Sequence, residues 1–279
     1  MKTNAMKVFF AVTLYLGSLN FAYAQSTAPA FSTEAELKND VAQAPCKNDD
    51  RLAAVKTLFS KMGATETEIT IEKLGKVENL VVTKKGKTGE IVVIGAHYDK
   101  TADGCGAIDN WTGIVILANL YRTMKPFVTN KTFIFVAFGK EEIGLIGSNA
   151  MAKNIPKEKR TDYCAMVNFD SFGFTYPQAL RNISDERLMD LAEEVSKEMK
   201  IPFAKAGVDF ASSDSESFRL IKIPAISLHG LSNKWTDYLH SSSDKVSNVN
   251  SQSVYLGYRH GLVLLSKLDN WPCESFRKK

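Results

Sequence analysis

The sequence predicts an α/β protein, a three-layer α/β/α sandwich around a mostly parallel, mixed central sheet. Three observations predict it. Short apolar runs at residues 91–96, 132–138, 165–169 and 224–228 have the make-up of strands covered on both faces. Segments with helical spacing separate these runs, the alternation that gives a largely parallel sheet. The first three runs lead directly into side chains that can bind a metal, His97, the pair Glu141 and Glu142, and Asp170. Ligands of open α/β sheets gather beyond the carboxyl ends of the strands.

The first 24 residues read as a leader rather than as part of the fold. Lys2 and Lys7 precede an apolar core at residues 8–19, and Ala22-Tyr23-Ala24 is a small-x-small cleavage site. The core is interrupted by Gly17 and Ser18 and is too short for a membrane span. A signal peptide over residues 1–24 is therefore expected, with one domain over residues 25–279. A secreted or periplasmic location without a lasting membrane anchor follows from it.

The chain of 279 residues carries 35 basic and 31 acidic side chains, and losing Lys2 and Lys7 lowers its net charge from +4 to +2. Such a balance has no electrostatic footprint for nucleic acid. Export permits disulfides among Cys46, Cys105, Cys164 and Cys273. Their wide spacing lacks the close pairs of a sulfur-bound zinc. Cys105 and Cys164 are expected at opposite ends of the sheet, and the pairing expected here joins Cys46 to Cys273, the two ends of the domain.

In chain order, residues 25–31 are small and Pro-containing and read as a disordered start. Leu37 and Val41, then Leu52, Val55, Leu58, Phe59 and Met62, recur at helical spacing on either side of Pro45, so two helices precede Gly63. β-Branched residues at 68–74 and 79–83 flank Gly75 as a hairpin, and the run ending at His97 follows. Ile114, Leu117, Ala118 and Tyr121 mark a helix over residues 110–124. After the run at 132–138, Gly139 breaks the strand, and a helix over 143–154 lasts until Pro156. The next run ends on Asp170. Leu188, Leu191, Ala192, Val195 and Met199 form one face of a helix for which Ser184 is the expected N-cap. A short helix at 215–221, a strand at 224–228 and a closing helix at 251–268 complete the chain.

If the apolar strands are parallel neighbours, their ends bring His97, Glu141, Glu142 and Asp170 together. Asp109 and His240 lie in loops able to join them. Imidazoles with several carboxylates suit zinc or a similar divalent ion. The set exceeds one tetrahedral site, and two metals about 3.5–4 Å apart, bridged by a carboxylate, would absorb the surplus. Asp99, beside His97, is placed to take that ring's other proton and fix its tautomer. Of two adjacent glutamates, one can bind metal while the other moves a proton. Without partners, the pair would be a solvated acidic turn.

HYD at residues 97–99, AIDNWTG at 107–113, GKEEIGLIGS at 139–148, NFDSFG at 168–173 and LHSSSD at 239–244 resemble, in this order, the co-catalytic dizinc aminopeptidases. That family has the zinc-exopeptidase fold, and its relatives include glutaminyl cyclases. The resemblance covers roughly residue 82 to the C terminus. It implies an exported zinc metallopeptidase that cleaves N-terminal residues from peptides with metal-activated water. His97 and Asp170 would hold one zinc, Glu142 and His240 the other, and Asp109 would bridge them. Glu141 would be the general base and Asp99 the partner of His97. A glutaminyl-peptide cyclotransferase with a single zinc is the alternative, and a non-catalytic peptide-binding relative is a third.

The chain departs from the family pattern in places. Ile108-Asp109-Asn110 stands where relatives usually carry Asp-Asp-Asn, and Trp111 replaces a small residue, so it is expected to narrow or wall the pocket. SSDSESF at 212–218 resembles a Ser-Asp-His motif with Ser215 in the histidine's place, and Asp214 reads as a helix N-cap or as a residue behind the metal ligands. A short loop between His97 and Asp109 is expected to leave the site more open. His229 and His260 read as structural or surface histidines.

Overall fold

A computed structural model describes residues 30–207 and 212–277 of the chain. The expected signal peptide lies outside the described residues, as does most of the expected disordered start. Two helices come first, α1 (Glu34–Val41) and α2 (Asn48–Lys61). α1 opens on a capping box, in which the Glu36 amide donates to the Thr33 hydroxyl and the Glu36 carboxylate accepts from the Thr33 amide. The hairpin predicted around Gly75 is β1 (Ile69–Leu74) and β2 (Val77–Lys84). There follow β3 (Ile91–His97), α3 (Thr112–Met124), β4 (Thr132–Phe138), α4 (Ile146–Asn154), β5 (Tyr163–Phe169) and β6 (Gln178–Leu180). The chain closes with α5 (Glu186–Met199), β7 (Ala204–Ala206), α6 (Ser215–Leu220), β8 (Ala225–His229) and α7 (Ser251–Asn270).

The strands form one sheet in the order β1-β2-β4-β3-β5-β8-β6-β7. Its middle, β4-β3-β5-β8, is parallel, while β2 runs antiparallel to β4 and β6 to β8. Alternate residues of the middle strands feed two cores. Val92, Ile94, Phe133, Phe135 and Val167 pack with residues of α1, α2, α3, α5 and α7. Val93, Val136, Phe138 and Met166 pack under α4 and α6. Both faces are thus covered, which is why these strands are apolar throughout and why the sandwich expected from the sequence forms. Each such aliphatic or aromatic side chain contributes about 1.5–3 kcal/mol by burial.

Several boundaries differ from the sequence expectation. α3 begins at Thr112 because Asp109 and Asn110 have non-helical backbones. α4 begins only at Ile146, since the amides of Gly144 and Leu145 fold back onto the Glu141 carbonyl as a turn. The N-cap of α5 is Asp185, not Ser184. Both residues are instead tied to β8: the Ser184 hydroxyl accepts from the Ser227 amide at 3.1 Å and the Asp185 carboxylate from the Ala225 amide at 2.9 Å. β6 and β7 were not expected, for three residues each are too few to show alternation. The Ala30 carbonyl, at the end of the expected disordered start, accepts the Thr123 hydroxyl, and just beyond it the Ser32 amide donates to the Tyr258 hydroxyl.

The disulfides are Cys46–Cys105 and Cys164–Cys273, which corrects the expected Cys46–Cys273 bond. Cys46, between α1 and α2, lies with Cys105 beyond the carboxyl end of β3. Cys164 opens β5 at the opposite pole, where the segment after α7 brings Cys273. A bond from Cys46 to Cys273 would have to cross the sheet.

Candidate metal centre

The parallel strands end side by side, with His97 in register with Phe138. His97 closes β3, Glu141 and Glu142 occupy the turn after β4, and Asp170 follows β5. Asp109 comes from the irregular turn before α3, and His240 from the connection between β8 and α7. The turns are tight. Lys140, Leu145, Ser171 and His240 adopt positive φ values of 59°, 56°, 64° and 57°, and such backbone clusters at functional sites. Gly113 lets the start of α3 press on the end of β5, since a Cβ there would meet the Asn110 side chain and the Phe169 carbonyl. Asn110 locks that junction, donating to the Phe169 carbonyl at 2.8 Å and accepting from the Gly113 and Ser171 amides at 3.0 Å.

The six residues singled out in the sequence meet in one place. His97 Nε2 lies 3.1 Å from Asp109 Oδ1 and 3.5 Å from Asp170 Oδ1. His240 Nε2 lies 3.1 Å from Asp109 Oδ2 and 3.2 Å from Glu142 Oε2. The two oxygens of Asp109 therefore face two different imidazoles, each with its own second carboxylate. Glu141 Oε2 is farther out, 3.9 Å from His97 Nε2. Donor atoms of His97, Glu141 and Asp170, and of His97, Asp109 and Glu142, all fall within 4.8 Å of one another. Glu142 Oε1 is buried without a hydrogen-bond partner. A crowded set of carboxylates and imidazoles with such an orphaned oxygen fits divalent cations of the zinc type. Glu90 with Cys164 and Cys273 is a further grouping, but both sulfurs are bonded to each other.

Burial lowers the pKa of His97, but the acids around it, Glu141 foremost and then Asp109, Asp170 and Asp99, outweigh burial and hold it well above the ordinary range. Burial pushes Glu141 well above its usual value, and the charges of Asp170, Asp214 and Asp109 add to the effect. Glu142 is also raised by burial, with His240 opposing. Asp109 goes the other way, because hydrogen bonds to His240 and His97 exceed its burial cost. His240, hydrogen-bonded to Asp109 and Glu142, is pushed up to about 10.

Asp99 does more than the expected task. His97 Nδ1 sits 3.2 Å from the Asp99 carbonyl and 3.6 Å from its Oδ1. The same carboxylate accepts the Glu141 and Glu142 amides at 2.9 and 3.2 Å, so it fixes the glutamate turn as well. Three supporting residues were not anticipated. Asp244 accepts the amides of Ile108 and Asp109 at 2.6 and 3.1 Å, a role whose only sequence signal is its place at the end of LHSSSD. The Ser213 hydroxyl donates to Asp170 Oδ2 at 2.5 Å. Arg51 is buried behind the centre; its spacing with Val55 and Leu58 on one helix face was the available signal.

Of the other expectations, the one for Trp111 is corrected and the one for His260 is met. Trp111 does not wall the pocket: it is buried in the larger core, with its indole N–H donating to the Asp40 carbonyl at 3.0 Å. Asp214 is the N-cap residue of α6, as expected, but its buried side chain makes no cap bond, and burial pushes its carboxyl up to about 7. The Ser215 hydroxyl pairs with Ser227 at 2.8 Å inside the protein. His260 is structural, with Nε2 2.9 Å from the Ala192 carbonyl. His229 is buried, held down to about 4 by burial, and accepts the Leu231 amide. It nonetheless lines the cavity over the centre. That cavity, of about 670 Å³, has the six charged residues on its floor and Leu180, Leu231, Trp235 and Leu239 along an apolar wall.

Known proteins share this arrangement of elements. The LapA aminopeptidase of Legionella pneumophila overlays with a TM-score of 0.70 at 22% identity, covering 88% of this chain and 77% of that one. A glutaminyl cyclase from an Acidobacteriales bacterium overlays with a TM-score of 0.74 at 17% identity, covering 89% of this chain and 98% of that one. At such identities the likeness is one of fold. Aminopeptidase Y of Saccharomyces cerevisiae is 33% identical over 96 residues, which span 34% of this chain and only 18% of that protein. Residues 79–256, which hold all six of the converging side chains, match the sequence model of peptidase family M28, and the protein belongs to that family.

Proposed function

We propose that this chain is an exported zinc aminopeptidase. In this reading His97, Asp109 and Asp170 hold one zinc and His240, Glu142 and Asp109 hold another. The observation that carries it is the division of Asp109, with Oδ1 toward His97 and Oδ2 toward His240, each at 3.1 Å. A carboxylate so placed serves two cations at once. Bound zinc supplies a polarised scissile carbonyl and a water acidic enough to lose its proton near neutral pH.

The remaining chemistry belongs to the chain. Glu141 lies next to the His97 and Asp170 donors, but at 3.9 Å from His97 Nε2 it stands farther out than Asp109 or Asp170, so we assign its carboxylate to taking the water's proton and returning it to the departing amine nitrogen. Asp99 keeps it there through the Glu141 amide. Burial raises the proton affinity of Glu141, which suits a group that must hold a proton between the two steps. The apolar wall of Leu180, Leu231, Trp235 and Leu239 receives side chains flanking the scissile bond and excludes water from it. Export is supported by the two disulfides, which persist in oxidising compartments.

Elemental analysis together with hydrolysis of aminoacyl amides tests the proposal. Two zinc ions per chain are expected, and Glu141→Gln is expected to keep both while losing hydrolysis by about 10²–10⁴-fold. A second reading, a glutaminyl cyclase with one zinc, is supported by the near full-length overlay on such an enzyme. One tightly held zinc, with turnover of N-terminal Gln and none of aminoacyl amides, would establish it instead.

A further inference from the structure

The segment from Tyr98 to Gly106 joins His97 to the turn that carries Asp109, and it is gripped from behind. The Arg51 guanidinium donates to the carbonyl of Tyr98, to Pro45 at 2.8 Å, to Cys105 at 3.0 Å and to Gly106 at 3.1 Å. Asn48, one turn earlier on α2, donates to the Lys100 carbonyl at 2.8 Å and accepts from the Lys100 amide at 2.9 Å. Cys46, just before α2, is bonded to Cys105. Gly106 turns at a φ of 58°, and a Cβ there would meet the Lys100 side chain and the Asp109 carbonyl. From the other side, the Asp244 carbonyl accepts the Cys105 amide at 2.7 Å. The ends of this short segment thus set the separation of His97 and Asp109.

We propose that Arg51 and the Cys46–Cys105 bond act as positioning elements of the metal centre, holding His97 and Asp109 at metal-binding separation so that opening the bond speeds loss of metal. The inference rests on the reading of this site as a zinc centre. The physical reason is convergence: a cation is retained by ligands that stay together, and freeing the connecting segment lets them part. The fold supplies its own control. Cys164–Cys273 sits at the opposite pole, bonded to none of these groups, and both of its residues are buried, whereas Cys46 is exposed.

The test loads the full-length protein with zinc and times its release into a chromogenic chelator. Cys46→Ser with Cys105→Ser is expected to release zinc about 10–100-fold faster, matching the range by which metal affinity falls when groups that orient the ligands are removed. Arg51→Lys, which keeps the charge and loses the fork, is expected to shift in the same direction. Cys164→Ser with Cys273→Ser is expected to lose thermal stability and release zinc at the wild-type rate. Should the first variant fold poorly, the folded wild type is treated with a phosphine. The phosphine is oxidised, taking the oxygen of one water, while two electrons and two protons convert the disulfide to two thiols. Alkylation then keeps these from binding metal, and mass mapping is expected to find Cys46 and Cys105 modified, with release accelerating in proportion. Wild-type release rates in the opened protein and in Arg51→Lys, or equal acceleration by loss of either disulfide, would overturn the inference and leave the centre standing. A wild type that binds no zinc overturns both.

Discussion

Asp109 is the residue on which the centre turns, because each of its oxygens serves a different imidazole. Asp109→Asn keeps the shape but removes the negative charge and presents an NH₂ to one side. Its expected zinc content is half that of the wild type or less by elemental analysis, with hydrolysis reduced about 100-fold or more. Trp111, only two positions on, turns away from the cavity into the larger core, where the Arg51 guanidinium lies 5.5 Å from its ring centroid. Trp111→Phe is expected to leave KM unchanged and to lower stability in urea by about 1–3 kcal/mol, because the Asp40 carbonyl is left buried without its donor. The contrast shows what was legible at this scale. His97, Glu141, Glu142 and Asp170 could be singled out because they follow apolar runs whose strand character is local. The direction of Trp111 depends on where α1 packs, and no neighbour in the sequence records that.

Among elements, α5 and α7 are joined through His260, whose Nε2 meets the Ala192 carbonyl and whose ring stacks on Phe203 at 5.5 Å. Burial holds this imidazole down to about 4, from an ordinary 6.5. The unfolded chain therefore binds a proton on His260 below pH 6.5 that the folded chain does not take until pH 4. The contribution to stability is fully present above pH 6.5 and is lost as pH falls through that window, by about 3 kcal/mol at most. Asp214 and Asp244, raised by burial to about 7 and 6, act in the opposite sense, since their stabilisation is lost as pH rises. The informative comparison is therefore between proteins: His260→Phe is expected to lose less melting temperature between pH 7 and pH 5 than the wild type does. Elements themselves were legible where their periodicity ran long enough. α3 and α4 began late because the site bends the chain just ahead of them, and β6 and β7 carry too few residues to announce themselves.

For the molecule as a whole, the two disulfides bind opposite poles of one sheet. Cys164–Cys273 closes a sequence separation of 109 residues and Cys46–Cys105 one of 59. On loop entropy alone, opening either would cost about 4–5 kcal/mol. Cys164→Ser with Cys273→Ser is expected to show most of that loss as a lower urea midpoint. The order of apolar runs and polar stops along the chain, by itself, determined the α/β sandwich and four of the six converging residues, His97, Glu141, Glu142 and Asp170, because a buried parallel strand writes its covering and its ending into consecutive side chains. Asp109 and His240 lie in loops and were assigned through the family resemblance. Only the tertiary structure decided which cysteines pair, that Asp109 divides its oxygens, that Asp244 and Arg51 brace the turn carrying it, and that Trp111 faces the core. Each of those depends on the distance between segments far apart in the chain, which packing sets and local sequence does not encode.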